Sequence, residues 1–197
     1  MALIRLVLMA SIAALPLAAC GGADKGNTGT ANASNEAAAA APASNQTLAA
    51  ALHDDGDLDT LDDVARNAGL EDVLGGVGPF TLFAPNDAAF TAFGEDRANA
   101  LKGAAMRPQA IALLRGHIVP GMITRRDLEA ALANANGRPV TMRSMGPGSL
   151  TFARDGDAIV VTSEGARARL AGDEAVATNG AIHPIDAPLI ATENPAQ

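Results

Sequence analysis

Three histidines, one cysteine, a serine beside a Gly-Pro-Gly turn and a dense run of aspartates are the side chains of this 197-residue chain that could do chemistry. His53, His117 and His183 could in principle meet at a metal ion. No two of them stand four residues apart on one helix, however, and no second cysteine joins them, so the spacing predicts no metal site. Inward histidines satisfied by hydrogen bonds are the plainer expectation. The aspartates between Asp54 and Asp63 invite a calcium loop, but placing Asp55, Asp57 and Asp59 at ligand positions one, three and five puts Thr60 where the loop needs glycine and Arg66 where it needs glutamate. Acidic residues in the first turn of a helix, favoured by its dipole, account for the run better. Ser149 has Pro147 where a nucleophile elbow requires glycine. Gly75-Gly76-Val77-Gly78 lacks the lysine and hydroxyl of a phosphate loop and precedes a strand where that loop follows one. No nucleophile is paired with a base and no cofactor is implied, so the expected protein is not an enzyme.

The elements that must position these residues are organised around Phe80 to Phe90, F-T-L-F-A-P-N-D-A-A-F. Phe80, Leu82 and Phe83 make a short run of strand composition that Pro85 closes. Asn86 reads as a helix N-cap, with Asp87 at the positive end of the helix dipole and Ala89, Phe90 and Phe93 on an inward face. Upstream, Leu48 to Leu52 predicts a short helix, and Leu58, Leu61, Val64, Ala65 and Ala68 predict a second, capped by Asp57 or Asp59 and ended by Gly69. Pro108 is expected at the first position of a helix carrying Ala110, Ile111, Leu113, Leu114, His117 and Ile118 on one face, with His117 pointing inward. Thr124 to Asp127 reads as a capping box with aspartate in place of glutamate, opening a helix that presents Leu128, Ala131, Leu132 and Ala135 and closes near Gly137. The period then changes. Val140 to Met145, Ser149 to Ala153 and Ala158 to Thr162 predict strands, with Asp155-Gly156 as a type I′ hairpin, and Ala181 to Asp186 predicts a last strand. Helices first, an early strand and a mostly antiparallel meander later predict the α+β class.

Three segments in order resemble the signatures of the fasciclin domain family: Phe80 to Phe90, Leu113 to Gly121 around His117, and Thr178 to Asp186 around His183. The resemblance covers Thr47 to about Ile190 and implies a single domain, a compact β-core flanked by helices. Carried onto this chain, the motif residues are Phe80, Thr81, Phe83, Pro85, Asn86, Asp87, Phe90, His117, Asn179, Gly180, Ile182, His183 and Asp186, all read as structural. The family implies adhesion or surface interaction with a protein or carbohydrate partner. The alternative it allows is a carrier of a hydrophobic ligand such as a carotenoid or lipid, for which five phenylalanines leave little aromatic lining. The chain departs from the family at Gly116-His117, where a Tyr-His pair is usual, and it contains no tyrosine or tryptophan. The tripeptide R-G-D is absent, since Arg154-Asp155-Gly156 has another order. Pro184 stands where valine is frequent; lacking an amide proton, it predicts an edge strand or a bulge there, with His183 serving a neighbouring polar group.

The N-terminal region reads as an export device. Arg5 precedes an apolar run from Leu6 to Leu15, too short for the roughly 20 residues of a membrane-spanning helix. Leu17-Ala18-Ala19-Cys20 resembles the bacterial lipobox, which implies a lipoprotein signal peptide over 1–19 and a lipid-acylated Cys20. A lone cysteine in an exported chain has no internal disulfide to make, in keeping with lipidation. Residues 20–46, rich in Gly, Ala, Asn, Ser and Thr, read as a flexible tether with a reach of roughly 30 Å. The domain follows over 47–190, with a tail over 191–197. The formal charge of −8 becomes −9 once Arg5 is removed, which argues against nucleic acid and against electrostatic docking on anionic lipid, leaving the acyl group as the membrane contact. Gly21 after the cysteine, by analogy with lipoprotein sorting, places the anchor in the outer membrane of a two-membrane cell envelope.

Overall fold

The stretch from Phe80 to Phe90 folds as a strand, a cap and a helix. Strand β1 (Phe80–Pro85) is buried from Thr81 onward. Asn86 is extended, and its side chain accepts from the Ala89 amide at 2.8 Å to open helix α4 (Asp87–Phe93), which buries Ala89 and Phe90. A computed structural model describes residues 44–190, an α+β fold in which the remaining elements assemble around this stretch. Before it come α1 (Leu48–Asp54), α2 (Asp59–Ala68) and α3 (Glu71–Gly75); after it come α5 (Glu95–Leu101), a 3-10 turn and α6 (Arg107–His117). Strand β2 (Ile118–Pro120) leads to α7 (Arg125–Asn134), whose start is a full capping box between Thr124 and Asp127. The chain finishes in six strands, β3 (Val140–Arg143), β4 (Ser149–Asp155), β5 (Ala158–Ser163), β6 (Ala166–Arg169), β7 (Ala175–Ala177) and β8 (Gly180–Ile185).

Two four-stranded sheets result, in the orders β2-β1-β8-β7 and β3-β4-β5-β6. The second is an antiparallel meander, while the first is centred on β1 and β8, which run parallel in register from Phe80↔Gly180 to Pro85↔Ile185. Side-chain alternation along this central pair divides the core. Leu82, Ala84 and Ile182 face the helices α1 to α6, whereas Phe83 and Ile185 face the other way, onto Leu150, Phe152, Ile159 and Val161 of the meander and Leu128 and Leu132 of α7. The layers are therefore helices, first sheet, second sheet.

Several local expectations change on folding. Neither Asp57 nor Asp59 caps α2: its N-cap is Leu58, without a side-chain bond, and the carboxylate of Asp87 accepts from the Thr60 amide at 2.9 Å. Pro108 is the second residue of α6, after Arg107, and Ile118 has left the helix to begin β2. The hairpin joining β4 and β5 turns at Gly156-Asp157 with positive φ at Gly156 alone, which is not type I′. Positive φ at both centre residues belongs instead to Glu164 (47°) and Gly165 (90°), between β5 and β6. Pro184 lies on β8, an interior strand and not an edge. It is tolerated because β7 pairs only with residues 180–182; beyond them the neighbour is Ala171, whose amide donates to the Pro184 carbonyl at 2.8 Å and asks nothing of its nitrogen.

Residues 44–46 lie against β7. The Ser44 amide donates to the Val176 carbonyl and the Thr178 amide to the Gln46 carbonyl, each at 2.8 Å, so the outer edge of the first sheet is closed by the chain just ahead of α1. A chain starting at Thr47 is accordingly expected to be less stable than one starting at Ser44 by about 1 to 3 kcal/mol. Urea midpoints of the two truncations check this; equal midpoints would mean that the edge contact contributes nothing.

Candidate functional site

The motif residues spread over three segments converge on the central strand pair, and their polar groups, His183 Nδ1 excepted, are used within the fold. Thr81, fully buried on β1, donates through Oγ1 to the Gly121 carbonyl at 2.7 Å and accepts from the Ile123 amide at 2.9 Å. Facing the same linker, His183 on β8 bonds the Ile123 carbonyl through Nε2 at 2.7 Å, and because a carbonyl only accepts, that nitrogen carries the proton. The carboxylate of Glu174 accepts from the Arg125 amide at 2.6 Å, so β1, β8 and the lead into β7 together clamp the connection from β2 to α7. The His183 ring stacks on Phe83, centroids 5.3 Å apart, and Phe83 packs on Phe152 at 5.0 Å. Among the described residues, the His183 Nδ1 has no hydrogen-bond partner, and it lies 3.8 Å from Glu174 Oε2. Burial holds the pKa of this imidazole below its ordinary value, against the opposing influence of the Ile123 bond and the Glu174 charge.

His117, also fully buried, has both nitrogens engaged: Nδ1 donates to the Leu113 carbonyl at 2.7 Å and Nε2 accepts from the Leu189 amide at 2.9 Å. Desolvation lowers its pKa to about 4, with the Leu113 bond acting in the other direction. Asn179 accepts from the Leu48 amide at the start of α1 and donates to the carbonyls of Leu74 and Gly76, tying the first and third helices to the mouth of β8. Gly180 follows because a Cβ there would collide with the Phe80 carbonyl. Asp186 joins the two sheets, its carboxylate accepting from the Arg169 amide at 2.6 Å and its amide donating back to the Arg169 carbonyl. Asp87 bonds Thr60 as described, while its own amide donates to the Asp57 carbonyl. Phe90 and Ile182 are buried apolar anchors beside Leu82 in the helical core.

Among the described residues, one cleft of about 830 Å³ opens to solvent between residues 44–46, the end of α1 and the lead into β7. Carboxylates of Asp54, Asp55, Asp173 and Glu174 line it, with Arg125 beside Glu174 and with Ala51 and Val176 as its apolar wall. Sequence spacing gave no sign of it, since its two acidic pairs lie more than 100 residues apart and meet only because β7 packs beside α1. His53 belongs elsewhere, exposed at the surface, with Nδ1 3.0 Å from Asp62 and Arg66 bridging Asp62 and Glu71. The structure thus keeps His53 apart from the two buried histidines, and Ser149 sits at the exposed start of β4. Among the described residues no three His, Cys, Asp or Glu side chains are grouped to hold a metal ion, and no helix is long and apolar enough to cross a membrane. Cys20 lies outside the described residues.

This arrangement of a parallel strand pair, a helical layer and an antiparallel meander is shared with known proteins. The fasciclin domain family model matches residues 56–191, and the chain belongs to that family. It is 29% identical over 128 residues to Protein sll1483 of Synechocystis sp., spanning 64% of this chain and 63% of that protein. Its fold matches the FAS1 domain pair of the insect cell adhesion molecule Fasciclin I with a TM-score of 0.63 at 21% identity, over 74% of this chain and 51% of that one. The chain therefore spans about half to two thirds of the length of these relatives.

Two measurements follow from the buried histidines. The unfolded chain takes up protons near pH 6.5, whereas the folded chain holds His117 neutral down to about pH 4, so stability from this source is complete above 6.5 and falls as pH drops toward 4. The loss from His117 is on the order of 3 kcal/mol, and His183 adds to it in the same direction. Urea unfolding at a series of pH values reads it; a flat profile between pH 7 and 4.5 would contradict neutral burial. His183→Ala is expected to cost about 1 to 3 kcal/mol, because it orphans the Ile123 carbonyl.

Proposed function

We propose that this fasciclin domain is the non-catalytic interaction module of an exported bacterial lipoprotein, held to the cell envelope through lipidated Cys20 and engaging a protein or carbohydrate partner with its outer surfaces. The observation that carries the reading is the internal use of the signature groups. Thr81, Asn86, His117, Asn179 and Asp186 all direct their side chains into hydrogen bonds that hold the fold together, which leaves recognition to the surface. The lining of the cleft between α1 and the lead into β7 weighs against the hydrophobic carrier: four carboxylates and a guanidinium suit neither a carotenoid nor an acyl chain. Outer-membrane residence is part of the proposal and rests on the lipobox and Gly21.

Cells expressing the full chain are expected to retain it in the membrane pellet after a salt wash and to attach to envelope-coated surfaces, whereas Cys20→Ser releases it and abolishes the gain in attachment. A Cys20→Ser protein that stays in the washed pellet overturns the anchor. Protein purified from its host that carries a stoichiometric pigment or lipid besides the anchor overturns the choice of module over carrier.

A further inference from the structure

The charges of this chain are sorted to opposite poles of the fold. Residues 54–72, in the helical layer, carry eight carboxylates against the single cation Arg66, while residues 138–169, the second sheet, carry five arginines against three carboxylates in a chain whose formal charge is −8. Strand alternation resolves the sheet further. Val140, Phe152, Val161 and Ala168 point into the core, so Thr141, Thr151, Thr162 and Arg167, which stand opposite one another across the four strands, point outward as one row. Arg143 and Arg169 flank that row on the two outermost strands, and Asp155 receives both Arg167 and Arg169, at 2.7 and 3.0 Å. The two arginines of β6 are more than half exposed. The result is a flat centre of hydroxyls and small side chains, with guanidinium groups at both edges about 14 Å apart at the usual strand spacing.

We propose that the outer face of the β3-β4-β5-β6 sheet is the docking surface for an acidic, carboxylated polysaccharide; this deepens the interaction-module reading and rests on it. Each part of the face matches one part of that ligand. Guanidinium groups pair with carboxylates through charge-assisted, two-pronged bonds, and the threonine row, in which Thr141 and Thr151 bond each other at 3.1 Å and Thr162 donates to the Thr151 carbonyl at 3.2 Å, keeps hydroxyl oxygens that can accept from sugar hydroxyls. Other occupants lack their requirements. The face carries no aromatic ring, on which a neutral sugar or a nucleobase would stack, and no large exposed apolar side chain to anchor a protein interface. The acidic pole does not repel such a ligand, because two packed layers, about 20 Å, separate the poles and charges are screened over about 8 Å at physiological salt.

The test uses the soluble full chain carrying Cys20→Ser and measures its binding to polygalacturonate, with dextran as the neutral glycan and poly-L-glutamate as the acidic chain without sugar hydroxyls. Polygalacturonate is expected to bind, to lose at least about tenfold in affinity between roughly 50 and 200 mM salt, and to lose a similar factor in Arg143→Gln/Arg167→Gln/Arg169→Gln, whose exposed positions keep the fold intact by circular dichroism. Dextran is expected not to bind. Thr151→Val/Thr162→Val is expected to weaken polygalacturonate while leaving poly-L-glutamate unchanged. Undiminished polygalacturonate binding by the triple arginine variant overturns the assignment of the face, and poly-L-glutamate binding as tightly as polygalacturonate overturns the choice of a glycan. Loss of the docking face with cell attachment intact overturns this inference alone, whereas loss of attachment by the anchored full chain overturns the module reading beneath it.

Discussion

The parallel pairing of β1 with β8 is the contact on which the rest of the molecule depends. It joins residues one hundred positions apart in six consecutive register pairs, and parallel strands must be covered on both faces. One face takes the helices through Leu82 and Ile182, the other takes the meander through Phe83 and Ile185. Closing the loop between them costs chain entropy, which the apolar area buried on both faces of the pair offsets. The signature segments are therefore found where the chain must be brought together.

Burying so many polar groups beside that pair is costly unless they find partners, and the motif side chains supply partners for all but His183 Nδ1. Thr81 and His183 fix the linker ahead of α7, His117 fixes the chain beyond β8, and Asn179 fixes two helix ends at once. Groups committed in this way have little capacity left for a ligand. At the periphery, charge is separated between an acidic helical pole and a basic sheet pole.

Much of this was legible in the residue pattern because it is local. The Phe80 strand, the Asn86 cap, the Thr124 capping box and the inward face of α6 each declare themselves within a few residues. What was not legible depends on distant partners. Asp87 caps a helix 27 residues upstream, and β2, with only three residues, exists because β1 offers an edge. Strand β6 reads Ala-Arg-Ala-Arg, which lacks β-branched residues, and is held by the Glu164-Gly165 turn and its pairing with β5. Pro184 looked like an edge marker because composition cannot reveal where a neighbouring strand stops. The basic face likewise required the register of four strands, without which Arg143, Arg167 and Arg169 are scattered charges.

The central claim is that the family signatures are architectural, and native-state hydrogen exchange tests it most directly. The amides of Leu48, Ile123 and Leu189 are each bonded to a signature side chain, those of Asn179, Thr81 and His117, and all three lie outside the ladder pairing of β1 with β8. If those side chains hold the fold together, the three amides exchange only on global unfolding, within about 1 kcal/mol of the slowest amides of β8. Exchange through local opening, several kcal/mol easier than global unfolding, would show that the signature contacts are peripheral and return Thr81, His117 and Asn179 to consideration as a binding site.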